Sequence, residues 1–268
     1  MAPDLAFALE LADLADSLSL PRFRADDLEV ERKPDRSPVT DADRTVERAL
    51  RERIAAERPG EAVFGEEEGG PGAAAAEGGP ALRPGGGGFA AAASSLRWIL
   101  DPIDGTRNFS RGIPVWATLV ALERDGEPAL GVVSAPALGH RWWAARGEGA
   151  FRDGERITVS RTDALADAAV SCAYARDLVR VAPAVWHARG FGDWWQSMLV
   201  AEGSLDAAVD ANLALWDYAA LVPIVEEAGG RVTALDGGAV APKRQLVCSN
   251  GLLHDQVLAL LSDPSPRK

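Results

Sequence analysis

The sequence is poor in cysteine and histidine, and each shortage excludes a class of protein. Only two of the 268 residues are cysteine, Cys172 and Cys248, and both lie in apolar segments. This usage predicts two reduced core thiols and excludes a disulfide framework or a cysteine-rich zinc site. The three histidines, His140, His187 and His254, are too scattered along the chain to form a metal site together.

Long apolar runs are also missing. No stretch of 18 apolar residues occurs, so we expect no membrane-spanning helix. The N-terminal segment, MAPDLAFALELADLADSL, is acidic and amphipathic, whereas a secretory signal begins with basic residues and continues with a uniformly apolar run. We therefore expect a cytoplasmic protein.

Basic residues are in the minority, with 28 against 40 acidic residues and a formal charge of −12. An acidic surface repels nucleic acids and anionic membranes, so neither is an expected partner. The same charge would repel a phosphate ester unless the protein held cations at its binding site. This conflict is the first indication of a metal-dependent site.

Hydrophobic residues make up 47% of the chain, which is long enough for a sizeable core. Their spacing alternates between helical and extended periods, with an Asp125-Gly126 hairpin, and this predicts a layered α/β fold with a mixed sheet. Helices are predicted over residues 4–20, 41–58, 177–188, 194–202, 216–230 and 252–261. Strands are predicted over residues 62–65, 98–100, 115–123, 129–136, 140–145, 156–160, 169–174, 204–210, 231–235 and 245–249.

Residues 69–95 are a low-complexity run of glycine, alanine and proline. Glycine makes ordering costly and the segment has little to bury, so we predict a flexible loop. Because it lies between two acidic motifs, it is either a flap over an active site or a tolerated surface insertion.

The DPIDGT segment at residues 101–106 places two carboxylates, Asp101 and Asp104, between a predicted strand and a helix start. Free amide groups at a helix start favour phosphate, and hard divalent cations favour carboxylate oxygens. A cation bound by both aspartates would bridge them to a phosphate. The alternative is that Asp104 caps the helix and Asp101 is a surface acid.

Two further acids follow the same pattern. Glu66 directly follows a predicted strand, and Asp217 stands at the start of an apolar helix. Taken separately, each is better explained as a helix cap or a surface acid. Together with the DPIDGT pair, they predict one acidic site at the edge of a sheet.

These segments resemble the inositol monophosphatase-like superfamily. Its two motifs correspond here to WILDPIDGTRNF at 98–109 and WDYAALVPIVEEAGG at 216–230, with Gly65-Glu66-Glu67 and the segment 37–43 in the expected order. The resemblance covers nearly the whole chain except residues 69–95. It implies an αβαβα sandwich of the inositol monophosphatase and fructose bisphosphatase type. It also implies a single catalytic domain over 1–268, with an N-terminal lobe of about 1–160 and a C-terminal lobe of about 161–268.

The resemblance also implies a hydrolase that removes phosphate from a monoester with Mg²⁺ and water. Two to three ions per site are expected, Mn²⁺ is expected to substitute for Mg²⁺, and the enzyme is expected to be a homodimer. The implied metal ligands are Glu66, Asp101, Asp104, Asp217 and the carbonyl of Ile103. Glu66 and Thr106 would position the attacking water, the amides of Gly105 and Thr106 would bind phosphate, and Asp43 would order a neighbouring or weaker metal site. Because three glutamates follow Gly65, Glu66 is chosen by the family pattern.

Finer resemblance concerns the substrate. Segments 114–126, 131–151, 189–195, 199–210 and 249–258 are similar to actinobacterial-type histidinol-phosphate phosphatases of histidine biosynthesis. That similarity implies a substrate with an ammonium group and an imidazole. Carboxylates and aromatic faces would bind such groups.

The implied substrate contacts are Asp193, Trp194 and Asp210. The alternative for Asp193 is a helix cap, and core packing is favoured for at least one of Trp194 and Trp195. Lys33 and Arg107 could supply positive charge near the phosphate, although an exposed salt bridge is favoured for each.

Two other functions stay open. An inositol-1-monophosphatase or another small sugar-phosphate phosphatase would use the same motifs. A non-catalytic, metal-binding regulatory protein could keep the fold, although every residue needed for the chemistry is present. Such a protein would be stabilised by Mg²⁺ without releasing phosphate.

Overall fold

A computed structural model describes residues 3–70 and 96–262 of the chain. Its strands are β1 Val30–Arg32, β2 Pro38–Thr40, β3 Ala62–Gly65, β4 Leu96–Asp104, β5 Ala117–Arg124, β6 Glu127–Ala135, β7 His140–Ala145, β8 Gly149–Arg152, β9 Glu155–Arg156, β10 Ala169–Cys172, β11 His187–Arg189, β12 Ala207–Ala211, β13 Arg231–Ala234 and β14 Gln245–Ser249. Its α-helices are α1 Pro3–Ser19, α2 Asp41–Glu57, α3 Thr106–Phe109, α4 Ala175–Val181, α5 Asp193–Ala201, α6 Leu215–Ala219, α7 Leu221–Glu227 and α8 His254–Ser262. The described part of the chain also has short 3₁₀ turns at Leu20–Arg22, Leu165–Asp167 and Ala182–Ala184.

The strands form two large sheets and a small hairpin. The seven-stranded sheet has the order β3-β4-β5-β6-β7-β8-β9, and only its β3–β4 pair is parallel. The five-stranded sheet has the order β11-β10-β12-β14-β13, with β10 parallel to both of its neighbours. Strands β1 and β2 pair with each other alone.

Alternating residues divide the seven-stranded sheet into two buried faces. Trp98 and Leu100 point to the layer formed by α1 and α2, while Ile99 joins the layer between the two sheets, where α5, α6 and α7 lie. Helices α4 and α8 cover the outer face of the five-stranded sheet. The order of layers is therefore α, β, α, β, α, and the predicted αβαβα sandwich is confirmed.

The middle helical layer approaches the seven-stranded sheet very closely at one point. A Cβ atom built on Gly131 of β6 would lie 2.1 Å from the carbonyl oxygen of Ala220, between α6 and α7. The helical chain is broken there because Pro223 has no N–H for the carbonyl of Ala219, and its ring would collide with that carbonyl. The predicted continuous helix 216–230 is thus two short helices, and the first of them contains Asp217.

Gly131→Ala is expected to lower the melting temperature by roughly 5–10 °C, because an added methyl group in a packed interior costs about 1–3 kcal/mol. Thermal unfolding followed by circular dichroism measures this. Gly139→Ala is the matched control, since its Cβ would meet nothing within 4 Å and only its left-handed backbone (φ 71°) would be strained. Equal effects of the two exchanges would contradict the close approach of Ala220.

Several of the predicted helices and turns are confirmed. The helix predicted over 41–58 is α2, and Thr40 and Asp43 form a capping box at its start. The Asp125-Gly126 turn has positive φ at both positions, 55° and 85°, as a two-residue hairpin requires. None of the helices in the described ranges is long and apolar enough to cross a membrane.

Other predictions are wrong in their bounds. The helix predicted over 177–188 ends at Val181, a 3₁₀ turn containing Pro183 follows, and 187–189 form the edge strand β11. The strand predicted over 156–160 stops at Arg156. Most of the loop predicted over 69–95 lies outside the described residues.

Candidate active site

The site begins at the C-terminal end of β4, where a bulge brings Asp101 and Asp104 to the same side of the sheet. Residues three apart on a regular strand point to opposite faces. Here Asp101 pairs with Leu119 and Asp104 pairs with Ala117, so three steps on β4 match two steps on β5. The Thr118 hydroxyl donates to the carbonyl of Pro102 at 2.8 Å and fixes the extra residue. Both carboxylates therefore face the layer between the sheets.

The parallel neighbour β3 supplies the third acid. Gly65 pairs with Leu100, and the N–H of Glu66 donates to the Leu100 carbonyl at 3.3 Å. Glu66 therefore follows its strand directly beside Asp101. Lys33, in the β1–β2 connection, donates from Nζ to Oε1 of Glu66 at 2.7 Å and to Oε1 of Glu67 at 2.6 Å. The predicted salt bridge of Lys33 is thus formed with acids of the site.

Asp217 approaches from the middle helical layer at the start of α6. One carboxylate oxygen accepts the N–H of Ala214 at 2.6 Å, which caps the helix. The capping interpretation is therefore correct for this oxygen. Burial raises the pKa of Asp217 to about 7, and the negative charges of Glu66 and Asp210 act in the same direction.

The electrostatics show that these acids form one cluster. Burial raises the pKa of Asp101 well above its ordinary value, and the charges of Glu66, Asp104, Asp217 and Asp43 raise it further. The pKa of Asp104 is also raised well above its ordinary value, by burial and then by four neighbouring acids, among them Asp217 and Glu66. Carboxylates that raise each other's pKa in this way favour a cation between them.

The donor set suits a hard divalent cation. Asp101 is 1% exposed, and its Oδ1 has no hydrogen-bond partner among the described residues. A buried carboxylate oxygen without a donor is costly unless a cation balances it. Nevertheless, no three acidic, histidine or cysteine side chains in residues 3–70 and 96–262 are gathered closely enough to hold a metal as they stand. A cation would have to compete with Lys33 for Glu66 and draw the carboxylates inward.

A second network joins the DPIDGT segment to α2. The Thr106 hydroxyl lies 2.9 Å from the Ile103 carbonyl and 3.1 Å from Oδ1 of Asp43. Asp43 is fully buried, and its Oδ2 accepts the N–H of Thr40 at 2.8 Å. Burial raises the pKa of Asp43 to about 6. Gly105 is the N-cap of α3 with φ 87°, so the alternative that Asp104 is the cap is wrong.

The predicted substrate acids lie on the other side of the cluster. Asp193 is the first residue of α5 with φ 49°, and its carboxylate accepts Asn108 Nδ2 at 3.2 Å instead of capping its own helix. Burial raises the pKa of Asp193, and the positive charge of Arg107 opposes the shift. Asp210 lies on β12, where burial raises its pKa to about 7. The charges of both acids in turn raise the pKa of Asp104, so they belong to the same acidic cluster.

The structure does not place Trp194 at this site. Its side chain is fully buried, with its ring 5.4 Å from that of Trp142 in the core between the sheets. Core packing, the alternative given for this residue, therefore accounts for Trp194. Trp195 is only partly buried and meets Phe191 edge to face at 5.1 Å.

Sequence reasoning missed two buried residues behind these acids. Gln196 donates from Nε2 to Oδ2 of Asp210 at 2.8 Å, while its Oε1 accepts the hydroxyl of Ser171 at 2.7 Å. Glu47, fully buried in α2, accepts hydrogen bonds from the turn that follows Glu66. A polar residue at a helix position that should face the core was the available signal for both.

Known proteins share this architecture. The model of the inositol monophosphatase family matches residues 1–264. The chain is 46% identical to a histidinol-phosphatase of Mycobacterium tuberculosis, covering 97% of this chain and 98% of the relative. It is 42% identical to a histidinol-phosphatase of Streptomyces coelicolor, with 97% of each covered. A solved IMPase of Thermotoga maritima has a TM-score of 0.81 at 32% identity, with 97% of each chain covered.

The family match and the full-length relatives place this αβαβα sandwich in a class of phosphatases. The chain belongs to the inositol monophosphatase family, and it is a phosphate monoester hydrolase. The resemblance found in the sequence motifs is thereby confirmed.

Proposed function

We propose that the protein hydrolyses L-histidinol phosphate to L-histidinol and phosphate with the help of Mg²⁺. The observation that supports this substrate is the extension of the acidic cluster beyond Asp101, Asp104 and Asp217 to Asp193 and Asp210. These two acids give a second region of negative charge next to the first, which suits a substrate with a phosphate at one end and an ammonium group at the other. The relatives named histidinol-phosphatase support the same proposal.

Mg²⁺ would be held by the carboxylates of Glu66, Asp101, Asp104 and Asp217 and by the carbonyl of Ile103. When bound, it neutralises the phosphate charge and makes water a better nucleophile at neutral pH. The amides of Gly105 and Thr106 would hold the phosphate at the start of α3.

The residues of the chain would orient the attacking water. The Thr106 hydroxyl has one proton, which it donates to Asp43 or to the Ile103 carbonyl. Its oxygen is then free to accept a hydrogen bond from the water, so Thr106 would orient the nucleophile without losing its own proton. Asp43, held by Thr40 on its second oxygen, fixes the direction of that hydroxyl. Glu66 would accept the other hydrogen bond of the water.

At the opposite end, Asp193 and Asp210 would bind the ammonium group. A charge-assisted hydrogen bond from an ammonium to a carboxylate is about twice as strong as a neutral one. A bound cation would also offset the burial that raises the pKa of both acids. Inositol 1-phosphate is the second candidate substrate, since the Asp210 carboxylate could accept hydrogen bonds from the hydroxyl groups of an inositol ring.

Phosphate release is the experiment that tests this proposal, with L-histidinol phosphate and inositol 1-phosphate compared in Mg²⁺ and in EDTA. We expect release that requires Mg²⁺ and a clear preference in kcat/KM for histidinol phosphate. Preference for inositol 1-phosphate would keep the mechanism and overturn the substrate. Stabilisation by Mg²⁺ without release from either ester would support the regulatory alternative.

Further predictions concern the setting of the reaction. We expect two to three Mg²⁺ ions per site with Mn²⁺ as a substitute, a homodimer, and a place in the cytoplasm within histidine biosynthesis. Metal content by elemental analysis and mass by light scattering test the first two.

A further inference from the structure

A buried ion pair lies behind the turn that contains Glu66. Glu47 of α2 is fully buried, and its carboxylate faces the turn of residues 65–69. Its Oε2 accepts the N–H of Glu67 at 2.7 Å, and its Oε1 accepts the N–H of Glu68 at 3.0 Å. Two consecutive amide groups directly after Glu66 are thereby bound by one side chain.

Arg51, one helical turn further along α2, completes the arrangement. Its Nε donates to Oε1 of Glu47 at 2.8 Å, and its guanidinium also donates to the carbonyl of Gly69. The turn is closed by backbone hydrogen bonds between Gly65 and Gly69, each 3.1 Å long. Glu47 and Arg51 together therefore hold both N–H and C=O groups of one short turn, and Arg51 balances the buried charge of Glu47.

Gly65 is shaped to accept this carboxylate. A Cβ atom on Gly65 would lie 2.3 Å from Oε1 of Glu47, well inside contact distance. Gly65 is not among the glycines with positive φ, so its backbone conformation does not require glycine. The close approach of Glu47 is the reason for glycine at this position.

We propose that Glu47 and Arg51 are positioning residues that set the affinity of the site for Mg²⁺ by fixing the turn after Glu66. This inference rests on the proposed role of Glu66 as a metal ligand. Glu66 has β3 on one side and the bound amides of Glu67 and Glu68 on the other, so its backbone cannot rotate independently. A metal ligand with a fixed backbone loses less conformational freedom when it binds. Partners behind metal ligands typically contribute about 10- to 100-fold in metal affinity.

The test is the affinity of metal-free protein for Mg²⁺, measured by isothermal titration calorimetry without substrate. Glu47→Gln keeps the size of the side chain, but the amide nitrogen of glutamine cannot accept a hydrogen bond from a backbone N–H. We expect the dissociation constant for Mg²⁺ to rise roughly tenfold or more. The Mg²⁺-induced rise in melting temperature should shrink in parallel.

Glu123→Gln is the matched control. Glu123 is also a buried glutamate paired with an arginine, since Arg97 donates to it at 2.7 Å. It lies four residues along β5 from Leu119, the partner of Asp101, and so about 13 Å from the site. This exchange should lower the melting temperature and leave the Mg²⁺ affinity unchanged.

Arg51→Lys tests the same inference more mildly, in case Glu47→Gln does not fold. Lysine keeps the positive charge beside Glu47 but cannot also reach the Gly69 carbonyl with a planar fork. We expect a smaller loss of Mg²⁺ affinity, about threefold to tenfold. Wild-type Mg²⁺ affinity in a folded Glu47→Gln or Arg51→Lys protein would overturn the inference and leave the proposed function intact. If the unaltered protein itself bound no Mg²⁺, the proposed metal site would fail and the inference with it.

Discussion

Asp101→Asn is expected to abolish phosphate release and at the same time to leave the metal-free protein at least as stable as the original. The loss of activity should be at least about 10³-fold, because a catalytic metal contributes several kcal/mol to transition-state stabilisation. The stability result has the opposite sign because the folded protein disfavours the charged form of Asp101, whose pKa is raised by burial and by four acids. Asparagine removes that cost.

The pH dependence gives this prediction a second measurement. Below about pH 4 Asp101 is protonated in both the folded and the unfolded chain, so the variant and the original should melt alike. As the pH rises, only the unfolded chain releases the proton easily, and the original loses stability relative to the variant. The difference in melting temperature should therefore increase from pH 4 to pH 7. A destabilised variant at pH 7 would indicate that Asp101 is a structural acid and would contradict the metal site.

Asp193→Asn should raise KM for L-histidinol phosphate by about 10- to 100-fold, since a hydrogen bond to a charged group is worth about 1.5–3 kcal/mol. The KM for inositol 1-phosphate, which has no ammonium group, should change far less. Asparagine tolerates the left-handed backbone that Asp193 adopts, so the exchange should not strain the start of α5. Steady-state kinetics with both esters measures the difference.

Asp153→Asn serves as the control for this exchange. Asp153 also has a left-handed backbone, with φ 52°, but it lies in a hairpin and pairs with His140. It should alter neither KM. Equal changes in KM for the two esters in Asp193→Asn would remove Asp193 from substrate recognition and leave it as a partner of Asn108.

The sequence was most informative where a pattern has one physical meaning. The apolar run of Trp98, Ile99 and Leu100 predicted a strand, and the carboxylates after it predicted a site at the strand's end. The helical spacing of apolar residues over 41–58 predicted α2. Such features depend on neighbours within a few residues, so they can be found without the tertiary structure.

Features that depend on distant partners could not be found in this way. Trp194 is of a residue type that often stacks on ligands. However, it packs in the core against Trp142, which is 52 positions away. The position of Glu47 on the apolar face of α2 could mark the residue as unusual, but its role depends on amide groups 20 and 21 positions later. The strand β11 was mistaken for the end of a helix because a strand of three residues is too short to show an alternating pattern.

The bulge in β4 makes the site depend on the path of the backbone as well as on the acids themselves. Opposite Thr118, two residues occupy the space of one, and this single extra residue decides which way Asp104 points. The same three-residue spacing on a regular strand would point Asp104 into the apolar layer under α1 and α2, away from Asp101. The contact that fixes the bulge, from the Thr118 hydroxyl to the Pro102 carbonyl, is therefore as necessary to the site as the carboxylates. Two chains of this family with identical acids could differ between an active enzyme and an inert one by the presence or absence of this bulge.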